Sequence, residues 1–232
     1  MRIAINHLTR MRNGFICVAG VSHDRTHIRP TVRLPERLGR SLLREEGGIF
    51  QLGAVVETGN TTPHPLTPDV EDHLFAPGAA SHVRDLTAEE FWKILQTVGK
   101  PSLREIFGPD LHTQGRTLAV DRGRGQASLG CLQLGARAEL EVDPWGQIKL
   151  DFGADDWQIH ATVTDVRLVE ADHRTAKEAL VNRLDGLLKT TPIVLSFGLS
   201  RAAQVGHDTE ERHWFQVNNI HLQSDPLGTW AA

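Results

Sequence analysis

The chain has no tyrosine, only two methionines and only two cysteines among its 232 residues. Cys17 and Cys131 alone exclude a disulfide framework and a four-cysteine zinc site. No run approaches the roughly 18 apolar residues of a membrane span. The opening MRIAINHLTRMRNG lacks the apolar core of a secretory leader, so the expected location is the cytoplasm. Neither GxxxxGKS/T, GxSxG nor HExxH occurs, which removes phosphate-loop, nucleophile-elbow and zincin chemistry. Aromatics make up 6% of the chain, and many of them are needed for a core. The sequence pI near 6.3 argues against a nonspecific, long-groove nucleic-acid binder.

What is present is a globular composition, 40% hydrophobic and 23% charged, long enough for one large or two small domains. Charge is unevenly placed. Residues 1–44 hold nine arginines, no lysine, and only Asp24 and Glu36, for a net charge of +7 against −4 for the whole chain. A basic end on an acidic body points to a localised anion site such as a phosphate backbone. Arginine outnumbers lysine 20 to 5, which GC-rich coding explains, but coding bias does not explain the clustering.

Periodicity is clearest in the second half. Ala138, Leu140 and Val142 alternate, then Ile148, Leu150 and Phe152, then Trp157, Ile159, Ala161 and Val163. Asp143-Pro144-Trp145-Gly146 and Gly153-Ala154-Asp155-Asp156 are the turns of this three-stranded meander. Thr175 and Glu178 have capping-box spacing ahead of Leu180, Leu184 and Leu187. Strands follow at 193–199 and 213–222. Three strands, a helix and two strands are the order of an OB barrel.

The first half follows this order less clearly, with strands at 2–6, 15–21, near Ile28 and at 52–57. A weak helix is expected over 36–45, and no fifth strand is evident in the Pro- and His-rich stretch 60–80. A helix capped by Thr87 and Glu90 carries Phe91, Ile94, Leu95 and Val98 on one face. A short helix is expected near 102–107 and a mobile connection over 113–130. The expected fold is mainly β with helical insertions: two OB-like β-barrels at 1–80 and 127–232, joined by a helical insert and connector at 81–126.

NHLTRM (6–11), FICVAGV (15–21), IRP (28–30), PDVEDHLF (68–75), SFGLSR (196–201) and HWFQVNNIHL (213–222) together resemble the dual OB-fold (DuOB) domain family of prokaryotes. The resemblance implies two barrels and a nucleic-acid-binding or sensing role, in the setting of prokaryotic defence or conflict systems. It brings no catalytic residues.

Candidate contacts follow from residue type. Asn6, His7, Thr9, Arg10 and Arg12 are expected on the loop after the first strand, where an OB barrel commonly meets oligonucleotides. Charge attracts phosphate and neutral donors orient it. Arg25, Arg29 and Arg33 recur around Pro30 and extend the positive end. Arg201 and the last strand's Trp214, Asn218 and His221 form a second group, with an indole to stack and an amide to read base edges. The last strand shows no purely apolar face, so a second reading has its polar groups bonding across to the first barrel.

Asp69, Glu71, Asp72 and His73 can be read as a metal site for phosphodiester cleavage, with Glu71 and His73 on one strand face. They can also be read as a hydrogen-bonded loop paired with N-terminal arginines. The histidine pairs 23/27, 64/73 and 213/221 and the two cysteines do not make a four-ligand set, so neither metal nor cofactor is expected. The favoured function is a non-enzymatic module for single-stranded nucleic acid, a strand end or a nucleotide. The alternatives are a protein-docking adaptor and a metal-dependent nuclease.

Overall fold

The computed structural model describes residues 1–135, 137–206 and 208–231. The protein is mainly β, with two OB-like barrels and a few helices. The first barrel is built from β1 (Arg2–Arg10), β2 (Ile16–Ser22), β3 (His27–Thr31), β4 (Ala54–Glu57), β5 (Thr62–Pro63) and β6 (Asp72–Leu74), and β7 (Ser81–Asp85) extends β4 outward. β1 pairs antiparallel with β2 and β4, β2 with β3, and β5 with β6, while β3 pairs parallel with β6. β4 and β5 thus act as two halves of a bent fourth strand. Asp72–Leu74 supplies the fifth strand that the sequence did not reveal. Ile3, Ile5, Leu8, Ile16, Val18, Ile28, Leu52 and Val56 fill the interior.

Three expectations for the first half and the linker are corrected. The 36–45 segment is not an α-helix. It makes 3-10 turns at Arg40–Leu42 and Arg44–Glu46, because Leu38 and Leu43 both anchor inward and Gly47 turns the chain left-handed at φ 88°. Residues 6–10 lie inside β1 rather than on a loop. The turn is at Arg12–Gly14, where Asn13 (φ 61°) and Gly14 (φ 74°) take left-handed conformations.

Between the barrels, α1 (Ala88–Val98) begins at the expected capping box: Thr87 Oγ1 accepts from the Glu90 amide, and the Glu90 carboxylate accepts from the Thr87 amide. Phe91, Leu95 and Val98 pack with Ala4 and Val21 of the first barrel and Cys131 and Val194 of the second. The helix therefore fills the angle between the barrels. β8 (Gly99–Lys100) and α2 (Leu103–Phe107) follow. The stretch expected to be mobile instead forms β9 (His112–Gln114) and β10 (Thr117–Asp121), and Ala119–Asp121 pair with Arg212–Trp214.

The second barrel uses β11 (Leu129–Leu134), β12 (Ala138–Val142), β13 (Ile148–Ala154), β14 (Trp157–Val163), β15 (Ile193–Leu199) and β16 (Arg212–Leu222). The meander β12–β13–β14 is as expected. β14 pairs parallel with β16, β16 antiparallel with β15, and β15 with β11, which leads back toward β12. The helix α3 (Glu178–Leu188) lies between β14 and β15, the third and fourth strands counted from β12. It starts after Lys177 without a side-chain cap, because Asp172 takes both the hydroxyl and the amide of Thr175.

Among the described residues, no helix is long and apolar enough to cross a membrane.

Candidate nucleic-acid interface and the interbarrel layer

Two β-bulges position the polar side chains. In β1 the register slips between Ile5 and His7, leaving Asn6 as the extra residue. In β16 it slips between the partners of Ser196 and Phe197, leaving Asn218 extra. A bulge shifts the side-chain alternation by one residue. Phe215, Val217, Ile220 and Leu222 therefore all point into the second barrel, although they are out of phase in sequence. Asn218, Asn219 and His221 are buried outside that barrel. Asn6 and His7 likewise face the second barrel.

The two polar sets meet. Leu8 donates its amide to Asn219 Oδ1 at 2.7 Å, and Asn219 Nδ2 donates to the Leu8 carbonyl at 3.0 Å. The side-chain amide thus replaces a missing strand partner. The Asn218 amide lies 3.1 Å from His7 Nδ1. Ser196 Oγ donates to the Asn6 carbonyl at 2.9 Å and lies 3.0 Å from His221 Nε2. Gly198 is required here: a Cβ at this position would come within 2.6 Å of Asn218 Nδ2. Replacing Asn219 by alanine strands a buried N–H and C=O, and should lower unfolding free energy by about 1–3 kcal/mol in urea titration. An unchanged midpoint would show that water replaces the amide.

This layer is uncharged near neutral pH. Burial pushes His27 and His221 down to about 4, and holds His7 well below its ordinary value. Burial also pushes the Cys131 thiol up to about 11.

Beside it sits a buried ionic group. Arg29 pairs with Asp69 at 2.6 Å and with Asp72, and Arg201 reaches over from the second barrel to Asp69 and, at 2.6 Å, to Asp72. Burial opposes the charge on Asp69, but the two guanidiniums outweigh it and hold the carboxyl below its ordinary range. Glu71 accepts from the Ser128 amide and hydroxyl and from the Leu129 amide. Burial raises its pKa despite these bonds. The 69–72 cluster thus joins the barrels, and its carboxylates are already engaged.

The expected contact residues therefore separate. Asn6, His7, Thr9, Arg29, Asn218 and His221 are buried, which corrects their placement on an accessible binding surface. Arg10 is half-buried and donates to the His173 carbonyl at 3.1 Å. Trp214 is half-buried, with its indole N–H held by the Ala203 carbonyl at 2.8 Å. Arg201 is about half exposed but ion-paired. His207, in the same loop, lies outside the described residues. Arg25 is exposed in the β2–β3 turn, at the opposite end of the barrel from Arg12 and Arg33.

The +7 segment resolves in the same way. Arg2 is engaged by Glu57, Arg40 by Glu46 and Arg44 by Asp85. Arg12, Arg33 and Arg37 are exposed and make no ion pair among the described residues. They lie on loops at one end of the first barrel, held together where Ile16 donates to the Leu38 carbonyl at 2.9 Å and Phe15 bridges to Gly39. Arg10 and Arg40 tie this end to the 171–173 carbonyls, which brings exposed Arg174 beside it. Sequence reasoning did not single out Arg37 or Arg174. It also used Trp145 only as part of a turn, although this residue is 83% exposed at the β12–β13 tip. Its only signal was an apolar side chain inside a turn motif.

No family model matches the chain, and no curated protein matches it. Among solved structures, the crystal structure of tetrameric p202 HIN2 is similar over 96% of this chain and 90% of that chain, at 6% identity and a TM-score of 0.33.

Proposed function

We propose that this protein is a non-enzymatic module that binds single-stranded nucleic acid, a strand end or a nucleotide feature through the arginine-bearing end of its first barrel. The observation that carries the reading is the set of exposed guanidiniums on Arg12, Arg33 and Arg37, which make no ion pair among the described residues, with Arg174 adjacent. Guanidinium forks suit phosphate oxygens, and loops at this end of an OB barrel are its usual contact elements. The proposed contact is phosphate-led, through these guanidinium forks. The buried Asp69–Asp72 and Glu71 groups are spent on joining the barrels, which favours binding over metal-dependent cleavage. A sensing or accessory role in a prokaryotic defence system agrees with this reading.

The test is fluorescence anisotropy with a labelled single-stranded oligonucleotide across a salt series. Replacing Arg12, Arg33 and Arg37 together by alanine should reduce the log–log salt slope by roughly 2, at about 0.7 per lost phosphate contact. An unchanged slope in a folded variant rejects this end as the contact. Absence of any oligonucleotide or nucleotide affinity in the wild type favours the adaptor reading, for which exposed Trp145 offers an anchor.

A further inference from the structure

Two histidines and a cysteine that are far apart in sequence meet at the seam between the barrels. His7 comes from β1, His27 from β3 and Cys131 from β11. One ligand-type atom from each lies within 4.8 Å of those of the other two. Cys131 Sγ and His27 Nε2 are 3.7 Å apart. A tetrahedral site with metal–sulfur bonds of about 2.3 Å and metal–nitrogen bonds of about 2.0–2.1 Å requires an S···N edge of about 3.6 Å. The rings of His7 and His27 meet edge to face, with centroids 5.1 Å apart.

Two further observations point to a ligand rather than to simple packing. His7 is 1% exposed and its Nε2 has no hydrogen-bond partner among the described residues, while its Nδ1 is held by the Asn218 side chain. Unpaired buried polar atoms are rare and call for an explanation. Ligating histidines characteristically have their second nitrogen fixed by an outer partner. Asn6, fully buried, presents its amide 3.2 Å from Cys131 Sγ and 3.4 Å from His27 Nε2, and its Oδ1 also lacks a partner among the described residues. A half-turn of that amide places Oδ1 at the fourth corner. His27 is half-buried and gives an approach from solvent.

We propose that His7, His27 and Cys131 bind a thiophilic transition-metal ion of the zinc class, with the Asn6 amide oxygen beside them as fourth ligand. The set reverses the expectation drawn from sequence spacing. His7 and His27 belong to the first barrel and Cys131 to the second, so the ion cross-links the two. The Cys131 thiol loses its proton to solvent on ligation, and the sulfur lone pair forms the metal bond. This site is separate from the arginine-bearing end and does not depend on nucleic-acid binding.

Cobalt(II) titration of untagged, reduced, chelator-stripped full-length protein tests it. One equivalent should produce intense tetrahedral d–d bands and a sulfur-to-cobalt charge-transfer band, and zinc should bleach both. Cys131→Ser should abolish the charge-transfer band, and Cys17→Ser should retain it. His27→Ala should weaken binding at least about tenfold, no less than the loss of an outer-sphere partner. X-ray absorption of the zinc-loaded wild type needs no variant: it should show one sulfur at about 2.3 Å with nitrogen or oxygen at about 2.0–2.1 Å. Folded wild type without a charge-transfer band at excess cobalt overturns the proposal. So does a band that survives in Cys131→Ser, or a zinc shell without sulfur.

Discussion

Arg29→Ala should lower the unfolding free energy by about 3–5 kcal/mol, the range for breaking a buried ion pair by removing one partner. Arg29 is 5% exposed, Asp69 4% and Asp72 3%, so water cannot rehydrate the two carboxylates once the guanidinium is gone. Arg201 remains but is about half exposed, and its attraction is screened. The loss should be shared by both barrels, because Arg201 and the 69–72 segment belong to different ones. Urea unfolding by tryptophan fluorescence measures it. Arg201→Ala should cost less, about 1 kcal/mol or below after screening. Combining Arg29→Met with Asp69→Asn and Asp72→Asn should recover much of the loss, since replacing a whole buried ionic group is often close to neutral. A cost for Arg29→Ala below that of Arg201→Ala would mean the group is not desolvated as the packing indicates.

The second barrel was the more legible half. Each strand of its meander alternates cleanly between Ala138 and Val163, and the turns carry proline, glycine and aspartate at the bends. β16 was placed correctly but its faces were not. Asn218 shifts the phase by one residue, so Ile220 joins Phe215 and Val217 in the core, which a strict period of two does not allow. In the first barrel, Asp72–Leu74 is three residues long and carries charges that face the other barrel, so neither length nor alternation identified it. The same cause hid the nature of residues 6–10. Polar residues on a strand read as solvent-facing, and a sequence does not show which outer face a second barrel covers. The alternative that the last strand's polar groups lock the barrels together describes Asn218, Asn219 and His221. The concentration of arginine was legible, but which guanidiniums stay free depends on nearby Glu46 and on Glu57, Asp69, Asp72 and Asp85, distant residues whose approach only the fold decides. The His7–His27–Cys131 grouping spans three strands and two barrels, and no spacing rule would have gathered it.

Acidification should weaken the two-barrel assembly between about pH 6.5 and pH 4, well before ordinary carboxylate loss. His221 is fully buried, hydrogen-bonded to Ser196 and Pro226, and packed edge-on against Phe91. Burial holds it at about 4 in the folded state, against about 6.5 when unfolded. The folded value is the lower one, so the unfolded chain takes up the proton first as pH falls. Stability is therefore full above about 6.5, declines through the window, and levels off below about 4. At about 1.4 kcal/mol per pH unit, His221 alone removes on the order of 3 kcal/mol. His27, also held at about 4 by burial, and His7 act in the same direction. Glu71 acts against them, because its raised value favours folding as it protonates. Asp69, held below its ordinary range, loses its stabilising charge only below about pH 4, its ordinary value. Urea midpoints at pH 7, 6, 5 and 4.5, measured with chelator present, should fall steadily. His221→Asn, which cannot take up the proton, should fall less steeply than the wild type. A wild-type midpoint that stays flat to pH 4.5, or an equal slope in the variant, would show that the buried imidazole is not the group that acid attacks.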